Sequence, residues 1–100
     1  MQINIQFVKM QTSESMEAFV TKKLEKLAKK YDWIIKAEVF YKLEKNPKGK
    51  GKICEIQLSM NGPRIFATSD ERNFEIATDK TIDDLLKLLS KRKNKMKPYI

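Results

Sequence analysis

Apolar and polar side chains alternate along residues 2–9, with Ile3, Ile5 and Phe7 against Gln2, Asn4 and Gln6. A period of two over that length predicts a strand with one buried face. The period then lengthens. Met16, Phe19, Val20, Leu24, Leu27 and Tyr31 recur at three- and four-residue steps, which is the stripe of an amphipathic helix ending near Lys30. Ser13 precedes it as an N-cap, and Glu14 and Glu17 fall in the first turn, where carboxylates suit the positive end of the helix dipole. Alternation returns from Trp33 to Glu44, where Ile35, Ala37, Val39, Tyr41 and Leu43 oppose Lys36, Glu38, Lys42 and Glu44.

Asn46-Pro47-Lys48-Gly49-Lys50-Gly51 reads as a loop from its Pro and Gly content. A third alternating run, residues 52–60, sets Cys54, Ile56, Leu58 and Met60 against Glu55, Gln57 and Ser59. Asn61-Gly62 signals a tight hairpin, and Pro63 marks an edge or irregular start for the short strand from Arg64 to about Ser69. Asp70–Asn73 is a turn, with Asn73 as N-cap of a last helix spanning Phe74–Lys95. Phe74, Ala77, Thr78, Ile82, Leu85, Leu88 and Leu89 form its buried side, while Lys80, Asp84, Lys87, Lys91 and Lys95 follow an outer side.

The order β-α-β-β-β-α predicts an α+β two-layer sandwich. A four-stranded, antiparallel-rich sheet carries both helices on one face and leaves the other solvated. A length of 100 residues corresponds to a single domain, 1–100.

Charge changes this picture. The net charge is +8, yet 15 of the 21 Lys and Arg and only two of the 13 acids fall in three short stretches. One is Lys22, Lys23, Lys26, Lys29 and Lys30 against Glu25. Another is Lys42, Lys45, Lys48, Lys50 and Lys52 against Glu44. The last is Lys91, Arg92, Lys93, Lys95 and Lys97, with no acid. On the first helix Lys22, Lys26, Lys29 and Lys30 share one side, so the cations form a ridge. A single lysine-rich helix side is ordinarily just solvated. Three such clusters together are the footprint of a surface for an anionic partner, nucleic acid before acidic membrane. Trp33, Phe40 and Phe66 on the sheet are either base-stacking positions or ordinary packing, and packing is the plainer reading because no RNA-recognition pattern surrounds them.

The chemistry of an enzyme is missing. There is no histidine, which removes the common general base and metal ligand. Cys54 stands alone on an apolar strand face and reads as a small buried hydrophobe; it also excludes an internal disulfide. Asp83 and Asp84 are neighbours on a helix and point about 100° apart, so they form no acid/base pair. The Lys-Gly-Lys-Gly-Lys run lacks phosphate-loop spacing. No cofactor, metal or small-molecule substrate is expected, no apolar run reaches the roughly 18 residues of a membrane span, and the amino end has no signal-peptide block. The expected compartment is the cytoplasm.

Several segments, in order, carry a resemblance. They are Lys23-Leu24-Glu25-Lys26-Leu27 with Tyr31-Asp32, the strand end Lys42-Leu43-Glu44-Lys45, the Asn61-Gly62 hairpin, and Asp79-x-x-Ile82-Asp83-x-Leu85 leading into Lys91-Arg92-Lys93-Asn94-Lys95. The whole chain resembles the ribosome hibernation promoting factor family, also called the ribosome-associated inhibitor or sigma-54 modulation protein family. The resemblance implies a stationary-phase or stress factor of bacteria or plastids. Such a factor binds the small ribosomal subunit between head and body, over the tRNA sites and mRNA path, and blocks translation without chemistry. It implies 16S rRNA contacts through Lys22, Lys23, Lys26, Lys29 and Lys30 on the first helix, and through Lys87, Lys91, Arg92, Lys93 and Lys95 on the second. The same ridges stand out from charge alone.

Two stretches depart from the family pattern. The last helix begins Asn73-Phe74-Glu75-Ile76-Ala77-Thr78-Asp79, with Glu75 where the family commonly has Tyr, so a contact through that Tyr does not carry over. The Asn46–Lys52 loop is longer and more basic than in short members and is expected to add an RNA contact. With no second domain after the last helix, the chain looks like the short form, which pairs ribosomes together with a separate ribosome modulation factor. Two other readings stay open: a general double-stranded RNA-binding module, and a protein-interaction regulator of transcription.

Overall fold

The computed structural model describes residues 1–45 and 48–95. Asn46 and Pro47 of the expected loop, and Lys97 of the last basic cluster, lie outside the described residues. The chain runs β1 (Gln2–Val8), α1 (Glu14–Lys30), β2 (Lys36–Leu43), β3 (Lys52–Ser59), β4 (Ile65–Glu71) and α2 (Phe74–Lys95). This is the predicted order. The four-stranded sheet is mixed and follows chain order: β1 lies parallel to β2, and the β2–β3 and β3–β4 pairs are antiparallel. The parallel pair follows from α1, which carries the chain back across the sheet between β1 and β2.

Both predicted caps form. The Ser13 hydroxyl accepts from the Met16 backbone N–H at 3.2 Å, and Asn73 Oδ1 accepts from the Ile76 N–H at 2.8 Å. Each satisfies a helix-start donor that would otherwise lack a partner. The inward sheet residues Ala37, Val39, Tyr41, Cys54, Ile56 and Leu58 are fully buried against Val20 and Leu24 of α1 and Leu85 and Leu89 of α2. Each Val, Ile or Leu side chain among them contributes about 1.5–3 kcal/mol of burial relative to exposure. The core is edged by Phe7, stacked on Tyr41 at 5.2 Å, and by Phe74, edge-on to Tyr41 at 5.3 Å.

A buried hydroxyl network ties α2 to the sheet. Thr78 donates to the Phe74 carbonyl at 2.7 Å, which leaves its oxygen to accept from the Tyr41 hydroxyl, also at 2.7 Å. The Thr81 hydroxyl reaches both its own helix at Ala77 O, 2.8 Å, and the β3 carbonyl of Cys54, 3.1 Å. Among the described residues no buried side-chain polar atom lacks a partner.

The structure corrects several local expectations. β4 runs on to Glu71, past the Asp70 at which a turn is expected. β2 begins at Lys36, not Trp33; residues 31–35 form the turn from α1, and Trp33 packs edge-on against Tyr31 at 5.8 Å. Ile35 and Leu43 share the parity of the buried residues but lie beyond the cover of the helices, 58% and 52% exposed. Leu88, expected inside, is 38% exposed. The Asn61-Gly62 turn is wider than a two-residue hairpin, since residues 60–64 separate the strands. Gly62 nonetheless supplies the left-handed conformation the bend needs, at φ +96°.

Candidate nucleic-acid interface

The placement of charge follows from the phase of α2. Ala77, Thr78, Thr81, Ile82, Leu85 and Leu89 point into the core. At 100° per residue, this leaves two flanks. One flank faces α1. There Asp83 and Leu86 of α2 share a groove with Lys23, Lys26 and Lys30 of α1. One turn earlier, Asp79 Oδ1 lies 2.7 Å from Lys23 Nζ. The other flank faces the edge strand β4. There Asp84, Lys87, Leu88 and Lys91 meet Phe66 and Thr68, and farther along Arg92 and Lys95 meet Arg64. The adjacent acids Asp83 and Asp84 thus sit in different grooves.

The two predicted ridges take different sides of the helix pair and meet at Tyr31. Lys22 and Lys29, seven residues apart, share the side of α1 away from the core, with Lys29 beside Glu25 and Ala28 on the β1 side. Lys23 is turned towards α2, with its ammonium paired to Asp79 and 4.8 Å from the Phe19 ring centre. Lys26 and Lys30 line the α1–α2 groove. On α2, Lys87, Lys91, Arg92 and Lys95 take the β4 flank. Lys93 alone turns to α1. Its ammonium lies 5.9 Å from the Tyr31 ring, and that of Lys30 lies 5.6 Å from the same ring. The carboxyl ends of both helices therefore meet at Tyr31, where the negative helix termini favour cations.

Two further residues join this surface. Arg64 follows Pro63 and carries no helical periodicity, so the sequence pattern does not mark it. Phe66, for which packing is the plainer reading of the sequence and base stacking the alternative, is 48% exposed beside α2. The one available signal is parity: Phe66 alternates with buried Ile65 and Ala67, so its ring must leave the core. Arg92 also reaches the hairpin, since a Cβ on Gly62 would lie 3.6 Å from its Nη1. The hairpin tip and the end of α2 therefore form one surface.

Elsewhere, the Lys50–Gly51 end of the basic β2–β3 loop is held by acids of β4. Gly51 N–H donates to Asp70 Oδ1 at 2.7 Å. Glu71 receives Lys80 at 2.9 Å and Lys50 at 3.8 Å. The Lys80 hydrogen bond, with the charges of Lys50 and Lys80, holds the Glu71 carboxyl below its ordinary range. Lys36 does the same for Glu38 on the open sheet face. Burial pushes the Cys54 thiol up, away from the thiolate a nucleophile needs. Among the described residues no cluster of Cys, Asp and Glu suits a metal ion, and no helix is long and apolar enough to cross a membrane. What the arrangement offers is cationic contact with a large anion.

Comparisons with known proteins agree on a family. The family described as Sigma 54 modulation protein / S30EA ribosomal protein matches residues 3–97. A protein of Klebsiella oxytoca named ribosome hibernation promoting factor is 32% identical over 99 residues, covering 99% of this chain and 100% of its own. The protein of that name from Escherichia coli K12 has the same identity and coverage. Among solved structures, a ribosomal subunit interface protein from Coxiella burnetii superposes with a TM-score of 0.83 at 22% identity, covering 94% of this chain and 99% of that one. The N-terminal domain of Thermus thermophilus Protein Y superposes at 0.70 and 24% identity, covering 85% and 91%. These two structural likenesses carry the fold.

Proposed function

This chain belongs to the Sigma 54 modulation protein / S30EA ribosomal protein family, and on that premise we propose that it is a ribosome hibernation factor of the cytoplasm. It binds the small ribosomal subunit at 16S rRNA, occupies the tRNA and mRNA channel, and stops translation by occupancy rather than by chemistry. The observation that carries this reading is the set Lys87, Lys91, Arg92 and Lys95 on one flank of α2. Among the described residues none of these forms an ion pair. Unpaired cations on a rigid helix release counterions when they meet phosphates, and that release supplies sequence-independent affinity. Lys22, Lys26, Lys29 and Lys30 of α1 and Lys93 of α2 extend the contact around the shared carboxyl end of the helices. Lys23 contributes least, because Asp79 already holds it.

The test is co-sedimentation with purified small subunits at low and near-physiological salt, followed by a translation assay. Retention at the higher salt with inhibited translation supports the proposal. Binding only at low salt, equally to subunits and to generic duplex RNA, replaces it with a general double-stranded RNA-binding module.

A further inference from the structure

Phosphate binding alone does not account for the composition of the α2–β4 groove. Besides Arg64, Lys91, Arg92 and Lys95, it exposes two large apolar side chains, Phe66 at 48% and Leu88 at 38%. The space is an open groove of about 430 Å³, within the range that small-ligand sites occupy. The α1–α2 groove differs: it has no aromatic lining, and Asp83 offsets its lysines. An exposed ring beside a row of cations is the arrangement that binds unstacked bases, with the ring taking the base face and the cations the backbone. Two of the cations are arginines, whose planar forks match phosphate oxygens. A duplex keeps its base faces stacked and has no use for the ring.

We propose that this groove holds unpaired nucleotides of single-stranded RNA, with a base against Phe66 and Leu88 and the flanking phosphates on Arg64, Lys91, Arg92 and Lys95. The inference rests on the reading that the partner is RNA, and it specifies a strand type and a seat within that reading. β4 is a sheet edge and could also add a peptide strand. The four cations favour a polyanion, and the ring beside them favours a base.

The experiment is an NMR titration of the isotope-labelled protein with a short oligoadenylate, the same chain made abasic, and an RNA duplex. Oligoadenylate should shift the amides of residues 64–68 and 84–95 and bind about tenfold more tightly than the abasic chain, the scale of one stacked base. Phe66→Leu keeps an apolar side chain at an exposed position but removes the ring. It should lose most of that tenfold difference while binding the abasic chain as before, and an unchanged amide spectrum elsewhere will verify its fold. Equal affinity for intact and abasic chains overturns the proposal, as do base preference surviving in Phe66→Leu, shifts confined to α1, and tighter binding of an acidic peptide in the groove. Co-sedimentation of the same variant separates the two levels. If small-subunit binding persists while base preference is absent from the wild type, only the groove assignment fails. If the wild type does not bind small subunits, the proposed function fails with it.

Discussion

The two flanks of α2 carry different charge, although one helix supplies both. Towards α1 it presents Asp79 and Asp83, set against Lys23, Lys26 and Lys30. Towards β4 it presents Lys87, Lys91, Arg92 and Lys95, joined by Arg64, with Asp84 as the one acid lining that groove. The first groove is largely neutralised from within, and the second keeps its charge for a partner. Counting cations along the sequence treats the two helices as equal contributors. Helical phase makes them unequal, because a lysine already facing an aspartate releases fewer counterions on meeting a phosphate.

The largest expected effect comes from emptying the second groove. Replacing Lys87, Lys91, Arg92 and Lys95 with Gln should weaken small-subunit binding more than tenfold at near-physiological salt, and flatten the log–log salt slope by about 3. Titration by co-sedimentation across a salt series reads both; an unchanged slope would falsify the division of charge between the flanks. A smaller effect, of opposite sign, should follow from unmasking the first groove. Asp79→Asn frees Lys23 from its ion pair and Asp83→Asn removes the acid that lines the groove with Lys26 and Lys30, so binding should tighten a few-fold and the slope steepen. Folding stability should change by less than about 1 kcal/mol, because the Lys23–Asp79 pair is partly exposed. Weaker binding in that double variant would mean that the acids position α1 rather than mask it.

The smallest effect concerns a third, local neutralisation, that of Lys50 and Lys80 by Glu71. A depressed carboxyl pKa means that the folded state favours the charged form. Its contribution is therefore present above the ordinary value of 4.5 and lost as pH falls through the lower folded value. An NMR titration of the Glu71 carboxyl should show a midpoint below 4.5, moving upward in Lys80→Gln. A midpoint indifferent to Lys80 would remove this pairing as the cause.

Much of the fold was legible because its signals are local. Ser13 and Asn73 announce the helix starts, and period-two alternation marks the inward faces of the strands. What escaped depends on which elements come together. Trp33 looked like a strand start because the turn from α1 to β2 contains neither Gly nor Pro. Ile35 and Leu43 have inward parity, but whether a helix reaches far enough to cover them is a tertiary fact. The candidate contact residues were named from charge and resemblance together. Their division between grooves was hidden, because the sequence does not say which flank of α2 meets α1. Arg64 and Phe66 lie beside α2 only because β4 is the edge strand next to it. No periodicity links residues so far apart in the chain.

The hydroxyl network at the base of α2 has a consequence for recognition. Slipping the helix by one residue about its own axis would turn every side chain by 100°, driving one charged flank towards the core and carrying the other round the solvent side. Apolar packing alone tolerates some rotation, since one aliphatic side chain fills much the same space as another. Hydroxyls are less forgiving. Tyr41, Thr78 and Thr81 find their partners at only one setting, and a buried hydroxyl without one costs about 1–3 kcal/mol. The three therefore act as a detent, fixing the angular setting of a charge pattern displayed at the far end of the helix. Side chains sealed in the interior thus decide which surface of the molecule is cationic.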